Sequence, residues 1–250
     1  MQATYGRRGL SVVGVTGGFK EQTTEWVRRR GVKYPYADDS SYSLAGPFDI
    51  YGLPHAILVA PTGEVIFSGP SDEITEDMIK TRLAGALKKP LCELPDSVAT
   101  VRDALVKGDF TAAEAALQKL APEVEARADA ATALQELFAL RLKGVEAAVK
   151  ADDLFGANEA LAALLPHVAA KPEAKARLEA AAAAIKAAPN GEKRLAAQRR
   201  LRELATPPST DDQGKAALEE ARQMAKDYAG TSLAAPAERA ARFLKRILAM

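Results

Sequence analysis

DIYGLPHAILVAPTGEVIFSG, residues 49–69, sets a proline directly ahead of an apolar run. Proline cannot donate to a β-ladder, so it is confined to strand starts, edges and bulges. Pro54 therefore marks where the chain bends into a sheet. His55 to Ala60 reads as a buried strand and Glu64 to Gly69 as its neighbour, joined by the turn Pro61-Thr62-Gly63.

Upstream of this hairpin, LSVVGVT (Leu10 to Thr16) is a short apolar run of strand type. A helical segment, FKEQTTEWVRRRG, follows it. Arg28, Arg29 and Arg30 fall in its last turn, where cations suit the helix dipole, and Gly31 ends it. VKYPYADD is a second extended piece, so strand, helix and strand make a βαβ unit with a right-handed crossover. Downstream, Asp72 or Thr75 caps a helix over EDMIKTRLAGALKK, with Ile79, Leu83 and Leu87 along one face.

KKPLCELPD (88–96), with its two prolines, divides this α/β half from a helical remainder. Val98, Val101 and Leu105 form the stripe of one helix. Gly108-Asp109 turns the chain, and Thr111 with Glu114 reads as a capping box for the next. Ala113, Ala116, Leu117, Leu120 and Pro122 recur as Ala157, Ala160, Leu161, Leu164 and Pro166, each 44 residues on, with VKGD at 106 answered by VKAD at 149. A period of this length is typical of helical-hairpin repeats, which bury their faces by stacking. Three more amphipathic helices follow, with TPPSTDDQG (206–214) as a loop between them.

The totals exclude several classes of function. Lys plus Arg is 34 and Asp plus Glu is 33, so no strong pull toward nucleic acid or an anionic membrane is expected. A single cysteine, Cys92, rules out an intramolecular disulfide and a Cys-x-x-Cys pair within these residues, and two distant histidines argue against zinc. No metal or other cofactor is expected. No run approaches the length of a transmembrane helix.

GLSVVGVTGG, YPYADD and YGLPHAILVAPTGEVIFSG, closed by a helix, follow one another in an order that resembles the TlpA/ResA-type thiol–disulfide oxidoreductases of the thioredoxin-like superfamily. The resemblance covers roughly residues 4–88 and enters the family pattern part-way. It implies a cis bond at Pro54, with Leu53, Pro54 and His55 at the lip of a groove for an extended protein or peptide partner. It also implies a Cys-x-x-Cys strand and helix upstream of Leu10, which these residues lack. No catalytic residue is therefore assigned, and this chain is expected to be inactive in dithiol exchange. The family sheet places that strand between Leu10–Thr16 and His55–Ala60, so its absence leaves a vacancy flanked by two open edges. Met1 is then expected to lie downstream of a true start. A cell-envelope or periplasmic location follows from the family, and a cytoplasmic one if Met1 is genuine.

The fold expected is thus an incomplete thioredoxin-like α/β domain over residues 1–88, a linker at 89–96, and an all-α domain of TPR- or HEAT-like hairpins over 97–250. The function expected is that of a thioredoxin-like relative without its dithiol. The alternative is a non-catalytic protein-interaction scaffold, and a one-cysteine peroxidase using Cys92 is a third possibility. The other conspicuous groups read as structural. Cys92 is an inert thiol, GVTGGF (14–19) a plain turn, and Trp26 a packing residue. Asp38-Asp39 and Asp211-Asp212 are solvated loop acids, and the Lys/Arg-rich run 193–202 is a solvated helix face.

Overall fold

The computed structural model describes residues 1–249 apart from 19, 40–43, 45–47, 49 and 51. Phe19 of the GVTGGF turn and Tyr51 of the Tyr-Gly-x-Pro block thus lie outside the described residues. Among the described residues there are eleven α-helices and only four strands. The chain forms two compact units, one of Met1–Ser11 with Ala56–Gly191, the other of Val12–His55 with Glu192–Met250.

The first unit begins with α1 (Gln2–Tyr5) and later carries the hairpin β3 (His55–Val59) and β4 (Val65–Pro70), then α3 (Glu76–Leu83). Thr75 caps α3, its hydroxyl accepting from Met78 N–H, and Ile79 is buried. The rest is a run of helices: α4 (Ala99–Val106), α5 (Phe110–Lys119), α6 (Arg127–Lys150), α7 (Leu154–Leu164) and α8 (Pro172–Ala187). Helix α4 packs on α5 and α6, and α6 in turn packs on α7 and α8. That arrangement brings the first helix of each hairpin against the first helix of the next. Val101 of α4 and Val145 of α6, 44 positions apart, are both 0% exposed.

The turn of the β3–β4 hairpin approaches α6 closely. A Cβ at Gly144, in the middle of that helix, would lie 2.8 Å from the carbonyl oxygen of Thr62. A mid-helix glycine costs roughly 0.5–1 kcal/mol relative to alanine, and here it makes room for backbone. The proline-flanked segment is pinned to the same helix. Glu136 accepts from Lys88 N–H (3.0 Å), Asp129 pairs with Lys89 (2.5 Å), and Leu94 is buried.

The second unit holds β1 (Gly14–Thr16), α2 (Lys20–Arg30) and β2 (Tyr36–Asp38), with β1 and β2 parallel and Gly14 opposite Tyr36. Helices α9 (Gly191–Leu204), α10 (Asp211–Asp227) and α11 (Ala234–Ile247) supply its core, in which Leu201, Leu204, Leu218, Phe243 and Leu244 are buried together. Arg246 of α11 donates to the carbonyl oxygen of Ile50 at 2.7 Å. Asp211 and Asp212, expected in a loop, instead open α10, capped by Thr210.

These observations overturn the expected fold class. Strands β1 and β2 form one two-stranded sheet and β3 and β4 another. The two runs expected to flank a vacancy in a single sheet therefore belong to different sheets and different units. There is no incomplete thioredoxin-like α/β domain followed by a separate helical one. The physical reason is that strand pairing is decided by non-local partners. Short apolar runs fit a two-stranded ladder as readily as the centre of a large sheet. Strand β3 is only half-buried, with Val59 exposed, rather than the fully buried strand the apolar run suggests.

Candidate functional site

The two hairpins of the first unit share one local design. Helix α4 ends at Lys107, and Gly108 takes φ +74°. Its N–H donates to the Leu105 carbonyl, while Asp109 N–H reaches back to that of Ala104. This pair of bonds closes the helix with its last carbonyls satisfied. Asp109 then begins the next helix, its carboxylate accepting from Ala112 N–H at 2.9 Å. Helix α6 ends in the same way 44 residues later. Asp152 takes φ +64°, its N–H donates to Val149 and Asp153 N–H to Ala148, and Asp153 accepts from Gly156 N–H at 2.9 Å. One aspartate in each hairpin closes one helix and opens the next.

This geometry refines the sequence reading in two places. The cap of α5 is Asp109, and Thr111 lies inside the first turn, so Thr111 and Glu114 form no capping box. The equivalent of Asp109 is Asp153 rather than the Asp152 suggested by VKAD, which is one residue out of step.

Thr111 and Glu114 serve other partners. Thr111 N–H and its hydroxyl both meet His167 Nδ1, at 3.2 and 2.7 Å. Glu114 pairs with Lys171. The Phe110 ring stands edge-on to those of Phe138, at 5.2 Å, and His167, at 5.7 Å. Lys171 Nζ lies 5.4 Å from the Phe138 centroid. This cluster ties the start of α5 to α6 and to the short 3-10 turn Leu165–His167. Between α6 and α8, Arg177 grips Glu146 with two bonds, of 2.7 and 2.8 Å.

A similar fork joins α9 to α10 in the second unit, where Arg200 holds Glu220 at 2.7 and 2.8 Å and Glu203 at 2.7 Å. An open groove of about 410 Å³ runs between α10 and α11, lined by Ala225, Ala241 and the stems of Arg222, Lys226 and Arg242. Among the described residues, the carboxyls displaced from their ordinary range all move downward. The hydrogen bond from Arg177 does this to Glu146, that from Arg200 to Glu220, those from Arg28 and Arg29 to Glu25, and that from Lys80 to Glu76. Ion pairs account for these shifts, between two helices at Glu146 and Glu220 and within one helix at Glu25 and Glu76; a general acid would instead need its carboxyl raised.

The residues singled out from sequence fall elsewhere. The Leu53–Pro54 bond is cis, the expected isomer. Leu53 is 86% exposed, Pro54 is exposed, and His55 is half-buried at the head of β3. Cys92 is an exposed free thiol. Trp26, expected to pack, is 54% exposed. Asp39, expected to face water, is buried and accepts from Leu44 N–H at 3.1 Å. Among the described residues, no group of three or more His, Cys, Asp and Glu is placed to hold a metal ion, and no helix is long and apolar enough to cross a membrane.

No family model matches this chain, and no curated protein or solved structure matches it. Its chemistry must therefore be read from its own residues. Sequence reasoning missed the His167–Thr111–Lys171–Glu114 cluster because its members lie 56 and 57 positions apart, beyond any local pattern.

Proposed function

We propose that this chain is a non-catalytic protein-interaction scaffold whose working surface is the helical run α4–α8. The observation that carries this reading is the duplicated hairpin. The same turn, the same aspartate cap and the same buried positions recur at a 44-residue spacing. Repeated hairpins build an extended surface from units that cannot bury their faces alone, and such surfaces are suited to protein and peptide partners. The ion-pair chemistry supports the same reading, since the displaced carboxyls of Glu146 and Glu220 are each spent on joining two helices.

On α6, Gln135, Ala139 and Lys143 make an exposed row at helical spacing, flanked by helices packed on both sides. A photo-crosslinking residue at Ala139, in the full-length chain expressed in cells, tests the proposal. The scaffold reading expects a discrete crosslinked protein adduct that is absent when the same residue replaces Lys193, exposed on α9 outside that run. Equal, diffuse labelling from both positions would contradict it.

A further inference from the structure

We propose that the outward face of α2, built from Trp26, Arg29 and Arg30, is a second docking surface, and that it takes an acidic polypeptide segment carrying an apolar side chain. The inference is independent of the α4–α8 surface, since α2 lies in the other unit. Helix α2 buries none of its residues. Thr24 shows which side of it meets the sheet, because its Oγ1 lies 3.1 Å from the Tyr36 hydroxyl of β2. At about 100° per residue, Trp26 stands about 200° round the helix from Thr24, Arg29 about 140° and Arg30 about 240°. These three side chains therefore share the face turned away from β2, and all three are exposed.

The charge balance selects the partner. Glu25 accepts from Arg28 Nε and Nη2, at 3.2 and 3.0 Å, but from Arg29 through Nε alone, at 2.7 Å. Arg29 thus keeps its outer nitrogens for a ligand. Arg30, and Lys33 just beyond the helix, pair with no acid among the described residues. This end of α2 therefore carries four cations to one acid. A helix C-terminus is equivalent to only about half a negative charge, so the dipole offsets a minor part of that excess. A nucleic-acid footprint commonly needs about 6–10 phosphate contacts, more than this face supplies. A few carboxylates match it, since arginine forks hold carboxylates well. A tryptophan beside arginines is also the composition that anchors protein interfaces.

Trp26 is the single tryptophan, so its emission in the full chain reports on this face alone. The probe is a capped pentapeptide, one leucine flanked on each side by two glutamates. Binding should shift the emission to the blue and saturate below about 5 mM, the range of a few weak surface contacts. The same peptide with glutamines in place of glutamates should give no saturable change. Replacing both arginines, Arg29→Gln with Arg30→Gln, should weaken binding by roughly five- to tenfold, the scale of two exposed ion pairs. If that variant does not fold, salt decides on the unaltered chain: raising it from about 0.05 to about 0.5 M must weaken binding, and an unchanged affinity refutes the proposal. No saturable change with the glutamate peptide overturns it, as does an equal response to the glutamine peptide or a response to oligothymidylate alone.

Discussion

Replacing Gly156 by alanine, with and without the carboxylate of Asp153, probes the hairpin turn directly. A Cβ at Gly156 would lie 2.1 Å from Asp153 Oδ2, because that carboxylate folds over the residue whose N–H it accepts. In an otherwise plain helix, glycine to alanine gains about 0.5–1 kcal/mol. Here the new methyl must displace the carboxylate, and losing an aspartate cap costs about 1 kcal/mol. The two effects cancel, so Gly156→Ala alone should leave stability nearly unchanged. Asp153→Ala alone should cost about 1–2 kcal/mol, toward the upper end because its site is half-buried. In the Asp153→Ala background nothing stands in the way of the methyl, and Gly156→Ala should then stabilise by the full about 0.5–1 kcal/mol. Urea unfolding followed by far-UV circular dichroism measures the cycle. Fluorescence would not serve, since the single tryptophan, Trp26, lies in the other unit. Equal stabilisation by Gly156→Ala in both backgrounds would show that the carboxylate does not occupy that space.

Three further predictions follow from packing, charge and the proposed role. Leu178 of α8 is 0% exposed, so Leu178→Ala should cost about 2–5 kcal/mol in the same urea assay, whereas a cost under about 1 kcal/mol would mean that α8 is not packed as described. The bonds from Arg177 lower the folded-state pKa of Glu146, so this pair stabilises above the unfolded carboxylate pKa, and the contribution fades as pH falls through the lower folded value. Both side chains are 44% exposed, which limits the effect to under about 1 kcal/mol; Arg177→Gln should flatten the acid limb of a stability–pH curve, and an unchanged limb would contradict the assignment. With Cys92 as its single thiol, the chain should not accelerate insulin disulfide reduction by dithiothreitol above background, and clear turnover would contradict a non-catalytic role.

Local signals carried much of the secondary structure. The βαβ segment, the Pro61–Gly63 hairpin, the Thr75 cap and the paired helices around Gly108 all depend on residues close in sequence, and each is present. What failed was everything decided at a distance. Nothing within Leu10–Thr16 or His55–Ala60 says whether they share a sheet, and they do not. The expected isomer at Pro54 coexists with a different fold. Thr111 and Glu114 have the spacing of a capping box, yet Asp109, two residues earlier, takes the cap and leaves them for His167 and Lys171. Asp39 was misread as well, since a loop acid that is buried and accepts from Leu44 N–H looks in sequence like one that faces water. The 44-residue correspondence survived because the bonds that close each turn recur at that spacing, while the VKAD match proved one residue out of step.

Amide exchange at Asp109 and Asp153, resolved by NMR, tests the duplicated hairpin most directly. Each N–H is bonded at 3.0 Å to the carbonyl five residues back, on Ala104 and Ala148 respectively. Both amides should be protected well beyond their coil rates, as the closing bonds of equivalent turns. Protection at one aspartate with free exchange at the other would show that the two turns are not copies of one design.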